Sequence, residues 1–553
     1  MPVFVALALF LSVLVLLPLF WLGYYSLTDK AGAATLANYV QLATDPTFVS
    51  PVLTILAISA SVAVLSCMVA APLAWLVART DMPLRGTIRA LVMASFVTPS
   101  FLGAVAWEIL AAPNSGMLNQ WYRAIFDAEP YDALFDIYTV EGVVFVITCY
   151  SFPYAFVLIA NALDAVPGDL EDASAILGAR RWTTLRRITL PIVLPAFLAG
   201  GLIAFMQTMT LFGAPAILAF PAGFHVLTTK IWSLFQFPAN PNLAAAASMP
   251  LLFLTILLLR AQRRLLGRRS YAVVGGRSGP PRLWRLGGWR IPSLVVALLI
   301  LSLPLLLPYG ALLKTALVRI ASEPLNLDTL TLHNVRFVFL EFSATQLALC
   351  NTVLLGLMAA TLGTGLAVII GYLTGRRLIT GHRFLDFLAT APVAIPGIVL
   401  GVGLFLSYSR PPLVLYGTLW ILLMAFLTIE LPAGYQQIQA AFRGIHPEME
   451  EASRILGGTR LQALRHITAP LLRTSVITTW CFIFIGVIRE LSATIMLTTA
   501  PTKLVSVIIY DLNESGDLGA ISVLGLTLLA ITFAVVGLAN RLPSLAKAAP
   551  RPA

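Results

Sequence analysis

Long apolar runs, separated by short polar segments, recur about a dozen times along this chain. A helix of roughly 20 apolar residues crosses the hydrocarbon core of a bilayer. Only 11% of the residues are charged, against about 25% in soluble globular proteins, so an ordinary soluble enzyme is excluded. The sequence therefore predicts an all-α polytopic membrane protein with about 12 transmembrane helices. The predicted spans cover residues 3–27, 52–77, 90–111, 142–162, 190–220, 243–259, 291–318, 346–373, 384–408, 413–438, 471–488 and 518–538.

The polar segments between the runs alternate in charge. Arg79 and Arg85 follow the second span, whereas Asp127 and Glu129 follow the third. Cytoplasmic loops of membrane proteins are enriched in lysine and arginine. The segment after the second span is therefore predicted to be cytoplasmic, the segment after the third external, and both chain termini cytoplasmic.

A basic segment without acidic residues divides the chain. Residues 261–290 are predicted to be a cytoplasmic linker between a first unit, residues 1–260, and a second unit, residues 291–553. The basic residues of this linker are Arg263, Arg264, Arg268, Arg269, Arg277, Arg282, Arg285 and Arg290. Membrane topology thus accounts for the net charge of +11, and no nucleic-acid partner is expected.

An internal repeat relates the two units. Residues 151–191 align without a gap with residues 430–470. Because both copies follow the fourth span of a unit, the units are predicted to be parallel six-helix repeats around a shared pore. Identical pairs include Pro153 with Pro432, Glu171 with Glu450, Gly178 with Gly457, Arg186 with Arg465 and Pro191 with Pro470.

Each copy of the repeat has the pattern of a short helix, a turn and a second helix. Glu171 and Asp172 are predicted to lie away from the apolar face of the first helix, and Gly178 can adopt the left-handed conformation that ends it. Two equivalent helices on cytoplasmic loops favour a docking element for a partner over a brace for neighbouring spans. The apolar face consists of Leu170, Ala173, Ile176 and Leu177.

The segments EDASAILG with ITLP, and EEASRILG with ITAP, resemble the Glu-Ala-Ala loops of permeases in binding-protein-dependent ABC importers. The resemblance covers nearly the whole chain, as two fused permease units of the MetI-like fold with loops at about residues 167–190 and 446–469. In that family the loop is a coupling helix that docks into a cytoplasmic ATPase. Both loops have an acidic residue in the second position of the motif, Asp172 or Glu451. The resemblance implies coupling roles for Glu171, Asp172, Ala173, Gly178, Glu450, Glu451, Ala452 and Gly457.

The same resemblance implies partners, a location and a cargo. The partners are two copies of the ATPase, one for each loop, and an external or periplasmic substrate-binding protein, and the location is a bacterial plasma (inner) membrane. The segments NSGMLNQW from Asn114, LFGAPAIL from Leu211 and RELSATIML from Arg489 are similar to ferric-iron permeases. Ferric iron is therefore the expected cargo, with thiamine, polyamines, phosphonates and sulfate as alternatives that share the architecture.

The chain lacks a nucleotide site of the Walker A type. This phosphate-binding loop requires GxxxxGK followed by Ser or Thr, and no lysine in this sequence follows a glycine. ATP and Mg are therefore expected on the separate ATPase. No cofactor and no catalytic residue is expected in this chain, which is interpreted as a permease subunit rather than an enzyme.

Ionisable residues near the outer ends of spans are candidates for the substrate path. Glu108 lies near the end of the third span, and Arg489 and Glu490 follow Pro470 by about 19 residues, roughly 28 Å along a helix. Because charges are costly in a bilayer, such residues usually face a cavity or a partner. Ferric iron is a hard cation suited to carboxylate and phenolate oxygens, so Glu108 and Glu490, with Tyr150, are candidate transient ligands; no stable metal site is expected. An ion pair at the membrane interface is the structural alternative.

Proline and glycine occur inside three of the predicted spans. Thr98–Pro99, Pro396–Gly397 and the pair Gly213 and Pro215 interrupt helical hydrogen bonding. We expect unwound backbone near the pore at these places, with kinks that only shape packing as the alternative.

A gradient-driven secondary transporter of the major facilitator type is the more distant alternative. Such proteins also have about twelve spans in two parallel halves. The GxxxDRxGRR pattern expected between their second and third spans is absent, since the segment there reads RTDMPLRGTIR.

Overall fold

A computed structural model describes residues 2–267 and 283–547 of the chain. These residues form helices joined by turns, and between the described residues there are only three isolated β-bridges and no strand. The all-α prediction is confirmed. Four arginines of the predicted linker, Arg268, Arg269, Arg277 and Arg282, lie outside the described residues.

The helices divide into two series with matching order, which we call the first and second repeats. The first repeat contains α1 (Pro2–Ser26), α2 (Ala37–Thr44), α3 (Pro46–Arg79), α4 (Arg85–Val97), α5 (Ser100–Ala111), α6 (Met117–Phe126), α7 (Val140–Asp164), α8 (Gly168–Ile176), α9 (Arg181–Thr184), α10 (Leu190–Thr210), α11 (Gly213–Leu218), α12 (Leu227–Ser233) and α13 (Pro241–Gly267). The second repeat contains α14 (Arg290–Leu301), α15 (Leu307–Ala316), α16 (His333–Arg336), α17 (Ser343–Gly375), α18 (His382–Thr390), α19 (Gly397–Tyr408), α20 (Leu419–Arg443), α21 (Glu448–Ile455), α22 (Arg460–Ala463), α23 (Ala469–Arg489), α24 (Thr494–Leu497), α25 (Val505–Ser515) and α26 (Leu518–Lys547).

Short non-α turns join several of these helices into longer rods. Four are π-helical, Leu185–Thr189, Ser302–Leu306, Phe337–Glu341 and Leu464–Thr468, and three are 3₁₀-helical, Gly287–Trp289, Ala391–Ala394 and Ala500–Thr502. The π turns before α10 and α23 occupy equivalent places in the two repeats. Each lies at the end of one of the predicted Glu-Ala-Ala loops.

Among the described residues, ten helices are long and apolar enough to cross a membrane, or up to twelve if each of two bent pairs counts as one span. In the first bent pair, α4 and α5 are bent by 96° at the break between them. In the second, the segment His382–Ala394, which is α18 with its 3₁₀ turn, and α19 are bent by 111°. The breaks fall at Thr98–Pro99 and Ile395–Pro396, because proline lacks the N–H that would continue the helix. The predicted third and ninth spans are thus broken helices, with the break at the proline expected from the sequence.

Two predicted span boundaries were wrong. The fifth span ends at Thr210 instead of residue 220, because Leu211 is extended and α11 starts as a separate helix at Gly213. The tenth span begins at Leu419 instead of residue 413, because Gly417 adopts a left-handed φ of +82° and the preceding segment is a loop. In both places the adjoining loop is itself apolar, so the apolar run in the sequence is longer than the helix.

Each repeat is built on three packed helices, α3, α7 and α10 in the first and α17, α20 and α23 in the second. The first helix of each repeat packs both within its own repeat and against the broken helix of the other. A Cβ added at Gly403 of α19 would lie 2.9 Å from the Pro18 carbonyl oxygen of α1. On the opposite side, the hydroxyls of Thr98 and Tyr309 of α15 are 2.6 Å apart, beside the break in the first repeat. The two repeats are therefore interleaved.

Candidate functional site

The two predicted coupling helices are α8 and α21, and each ends at a glycine with positive φ. Gly178 has φ +79° and Gly457 has φ +87°. The N–H of Ala179 donates to the Ser174 carbonyl at 3.0 Å, and the N–H of Gly458 closes the same turn in the second copy. The left-handed turn expected at both glycines is present, and it redirects the chain into the next helix. We call the face of the molecule that carries α8 and α21 the coupling face.

Glu171 of α8 points into the protein rather than away from it. Its Oε1 accepts from Arg79 Nη2 at 2.6 Å and from the Thr189 hydroxyl at 3.0 Å. Arg79 also donates to the Val166 carbonyl oxygen at 3.4 Å. The side chains of Arg79 and Glu171 are 0% and 4% exposed. A buried ion pair thus attaches the first coupling helix to the end of α3.

The second coupling helix has the same attachment. Arg376, directly after α17, donates from Nη2 to Glu450 Oε1 at 2.9 Å and from Nη1 to the Ile445 carbonyl oxygen at 3.1 Å. The Thr468 hydroxyl donates to the same carboxylate oxygen at 2.8 Å. Thr189 and Thr468 each end a π turn, so the irregular turn places the hydroxyl opposite the glutamate.

Apolar side chains of the coupling helices face solvent, the reverse of a surface helix that only braces its neighbours. Ile176 and Leu177 are 85% and 86% exposed, and Ile455 and Leu456 are 85% and 88% exposed. Of the other predicted coupling residues, Asp172, Ala173, Glu451 and Ala452 are also exposed. Glu171 and Glu450 differ from them, because their carboxylates can act on a partner only by fixing the helix that carries them.

Glu108 lies on α5, near the loop opposite the coupling face. Its Oε1 accepts from the Tyr138 hydroxyl at 2.8 Å and its Oε2 accepts from Asn513 Nδ2 at 2.7 Å. Asn513 belongs to α25 of the second repeat, so Glu108 joins the repeats. Burial, with the neighbouring Glu108 carboxylate, raises the pKa of the Tyr138 hydroxyl, which therefore stays a proton donor.

Tyr150 lies inside the packing between the repeats. It is 2% exposed, and its hydroxyl donates to the Pro304 carbonyl oxygen at 3.3 Å. Among the described residues, no hydrogen bond joins Tyr150 to the carboxylate of Glu108 or of Glu490.

Arg489 and Glu490 lie at the end of α23, beside the break in the second repeat. Glu490 Oε1 accepts from the Ala493 N–H at 2.8 Å. The Arg489 guanidinium lies 4.9 Å from the centre of the Phe96 ring, which belongs to the first repeat. The two neighbours thus point to different partners, and among the described residues they form no ion pair with each other.

A family model described as the inner membrane component of binding-protein-dependent transport systems matches residues 70–271 and 367–544. The two matched segments together make up more than half of the chain and fall on the two repeats. The chain belongs to this family. It is a multi-pass permease of the inner membrane.

Individual relatives of this permease include ferric transport proteins. The ferric transport system permease protein FbpB of Actinobacillus pleuropneumoniae is 26% identical over 446 residues, which cover 80% of this chain and 63% of that protein. The permease thus spans 63% of the length of that relative. The Fe(3+)-transport system permease protein FbpB 2 of Haemophilus influenzae is 22% identical over 68% of this chain and 72% of that protein.

Among solved structures, a bacterial ABC transporter involved in the import of the acidic polysaccharide alginate matches with a TM-score of 0.36 and 16% identity. The match covers 44% of this chain and 88% of that chain.

Sequence reasoning missed three members of these sites. Arg79 was interpreted only as a topology signal, and Arg376 follows the second span of its repeat at the equivalent position. Glu430, whose carboxylate packs on Gly486 in the helix that carries Arg489, was counted only as the first residue of the repeat motif. It is an acid inside the predicted tenth span, and the cost of charge in a bilayer would have marked it as a site residue.

Proposed function

We propose that this permease forms the membrane pathway of an ATP-driven ABC importer, most specifically one for ferric iron delivered by an external binding protein. ATP and Mg bind to a separate ATPase, of which two copies attach, one at each coupling helix. The coupling face is then cytoplasmic, and both chain termini lie on that side. The permease carries no nucleotide site and no catalytic residue of its own.

The observation that carries this proposal is the pair of coupling helices. Each presents two almost fully exposed apolar residues, and each is fixed from behind by a glutamate–arginine pair whose side chains are at most 12% exposed. An exposed apolar end on a rigid support is suited to docking in a groove of a partner protein. The rigid support matters as much as the contact, because a movement of the partner then reaches α3 and α17 directly.

The iron assignment is supported by the ferric transport role of the relatives and by the residues available along the path. Ferric iron prefers oxygen ligands, and Glu108 and Glu490 are carboxylates whose hydrogen bonds come from neutral donors. Trp107, next to Glu108, packs against Phe145 with 4.6 Å between ring centres and is buried. Its ring therefore offers no free face to an organic cation. Thiamine, polyamines, phosphonates and sulfate are the alternative cargoes for the same machinery.

The test begins with a gentle pull-down of the tagged permease from native membranes. An ATPase and a binding protein should co-purify, and the complex in proteoliposomes should import ⁵⁵Fe(III) from the loaded binding protein only with ATP inside. A binding protein that retains thiamine, a polyamine or an oxyanion, with no import of iron, would overturn the cargo.

Docking is tested with Leu177→Glu and Leu456→Glu. A charge at these exposed positions should abolish co-purification of the ATPase, because it would be buried in the contact without a partner. Leu327→Glu is the matched control, since Leu327 is 92% exposed in a loop outside the coupling helices. Retention of the ATPase by the double variant would contradict the coupling assignment.

A further inference from the structure

Glu430 lies in the middle of α20, and its carboxylate packs against the backbone of α23. A Cβ added at Gly486 would overlap this carboxylate. Gly486 precedes Glu490 by one helical turn, about 6 Å along the axis. Glu430 therefore lies close to Arg489 and Glu490, and its carboxylate interacts with the charges of both.

Glu490 occupies a second niche formed by a glycine. A Cβ added at Gly397 would lie 3.0 Å from Glu490 Oε1. Gly397 is the first residue of α19 after the break at Pro396. Each carboxylate is thus placed where the adjacent helix has no side chain, and both lie beside the broken helix of the second repeat.

The charges of this cluster are not neutralised by direct ion pairs among the described residues. Glu430 is 9% exposed and has no hydrogen bond to any of them. Arg489 lies over the Phe96 ring, and its Nε is buried without a hydrogen-bond partner. Buried polar groups are normally hydrogen-bonded, so the carboxylate of Glu430 and the guanidinium of Arg489 keep binding capacity.

The first repeat has neutral residues at the equivalent positions. The ungapped alignment continues through α10 and α23, which both have 21 residues. It pairs Glu430 with Ser151, Gly486 with Gln207, Arg489 with Thr210 and Glu490 with Leu211. Because α10 and α23 form the same helix with either set, the fold does not require the charges.

We propose that Glu430 and Glu490 form a transit site for a hard multivalent cation, and that Arg489 is the built-in counter-charge of the site when the cation is absent. The inference rests on the proposed function, because it assumes a cationic cargo. Two carboxylates supply the oxygen ligands that hard cations prefer. Phe96 holds the guanidinium near the carboxylates without an ion pair to them, so separation of the repeats frees Arg489 to move away as the cation arrives.

This arrangement explains how a strongly charged cargo could both enter and leave. A trivalent cation interacts more strongly with two carboxylates than a single guanidinium does, so it displaces Arg489 on entry. Return of Arg489 restores a counter-charge after release, which keeps the site from holding the cation too firmly.

The direct test measures binding of Tb(III), used as a hard trivalent probe, to the full-length permease in nanodiscs. Glu430→Gln should weaken the affinity at least tenfold, and Gly486→Ala should do the same because its methyl group displaces the carboxylate. Arg489→Met should strengthen binding at least tenfold, whereas Arg489→Lys should stay within threefold of the wild type. The matched controls are Glu448→Gln, at an exposed acid on α21, and Gly365→Ala, where a Cβ meets no atom within 4 Å.

The opposite signs at Glu430 and Arg489 separate a binding site from a structural ion pair. Loss of Tb(III) affinity in Arg489→Met, or unchanged affinity in Glu430→Gln, would overturn the proposal. Uptake of ⁵⁵Fe(III) by the assembled importer separates this inference from the cargo assignment. If the wild type imports iron and Glu430→Gln imports it equally well, the transit site is refuted and the cargo assignment stands. If Tb(III) binding follows the expected pattern but the wild type imports no iron, the cargo assignment is refuted and the cation site stands.

Discussion

At the scale of single residues, the buried pair Arg79–Glu171 and the mostly buried pair Arg376–Glu450 position the coupling helices. Sequence reasoning identified both glutamates through the repeat and placed Glu171 away from the apolar face, but it did not predict that the carboxylate points into the protein. Arg79 and Glu171 are 92 residues apart, and no local pattern relates them. A basic residue at the end of a span is also typical of the cytoplasmic side. Because this topology signal already explained Arg79, its role as the partner of Glu171 was not predicted.

We expect Arg79→Ala to destabilise the permease by about 3–5 kcal/mol, because it leaves the Glu171 carboxylate buried without its partner. The free energy of unfolding in mixed detergent micelles measures this loss. Arg89→Ala is the control, since the Arg89–Asp164 pair is 41% and 38% exposed and such pairs contribute about 0–1 kcal/mol. Equal losses in the two variants would contradict the anchoring role of Arg79.

Gly178→Pro and Gly457→Pro should uncouple ATP hydrolysis from transport while membrane insertion remains normal. Proline cannot adopt the positive φ of these turns, and it removes the N–H that Gly178 donates to the Ala175 carbonyl at 3.0 Å. Gly178→Asn is the control, because asparagine tolerates the left-handed conformation. The measurement is cargo uptake per ATP hydrolysed in proteoliposomes, and an unchanged ratio in both proline variants would refute the role of the turns.

At the scale of helices, apolar run length predicted the spans, and proline predicted where two of them break. The bend angles of 96° and 111° could not be predicted, because they depend on which helices pack on either side of the break. The coupling helices show a second limit. Helical spacing places Ile176 and Leu177 on one face, but only the tertiary structure shows that this face is exposed.

Gly403→Ala should separate α1 from α19 and destabilise the permease by about 1–3 kcal/mol, because the added methyl group overlaps the backbone of α1 at Pro18. Gly365→Ala on α17 is the matched control, since its Cβ has open space. Unfolding in mixed micelles provides the comparison. A stability equal to that of the control would show that α1 is not held firmly against α19.

At the scale of the whole molecule, the two repeats share a fold but differ in chemistry. The internal repeat predicted the shared helices and loops. It could not predict that the first helix of each repeat packs on the other repeat, because an apolar helix contains no signal for its neighbour. The internal repeat also did not predict the charge difference at α20 and α23. A repeat is recognised from the positions at which the two copies are identical, and the charged residues lie at positions where they differ.

The interleaving predicts that the repeats assemble even when they are not covalently joined. Residues 1–267 and 283–553, co-expressed as separate chains, should co-purify through a tag on either one. Removal of residues 1–26 should reduce this yield several-fold, because the second repeat loses the helix that packs on α19. Recovery of each chain alone would contradict the interleaving.

The packing of α1 on α19 also has a consequence for biosynthesis. Pro18 meets Gly403, so the ribosome must add nearly four hundred residues after α1 before its partner exists. At about 5–20 residues per second, this takes roughly 20–80 s. During that interval the face of α1 that will later contact α19 must be covered by lipid or by other helices. The nascent chain therefore completes this contact only after residues 397–408 of α19 have been synthesised.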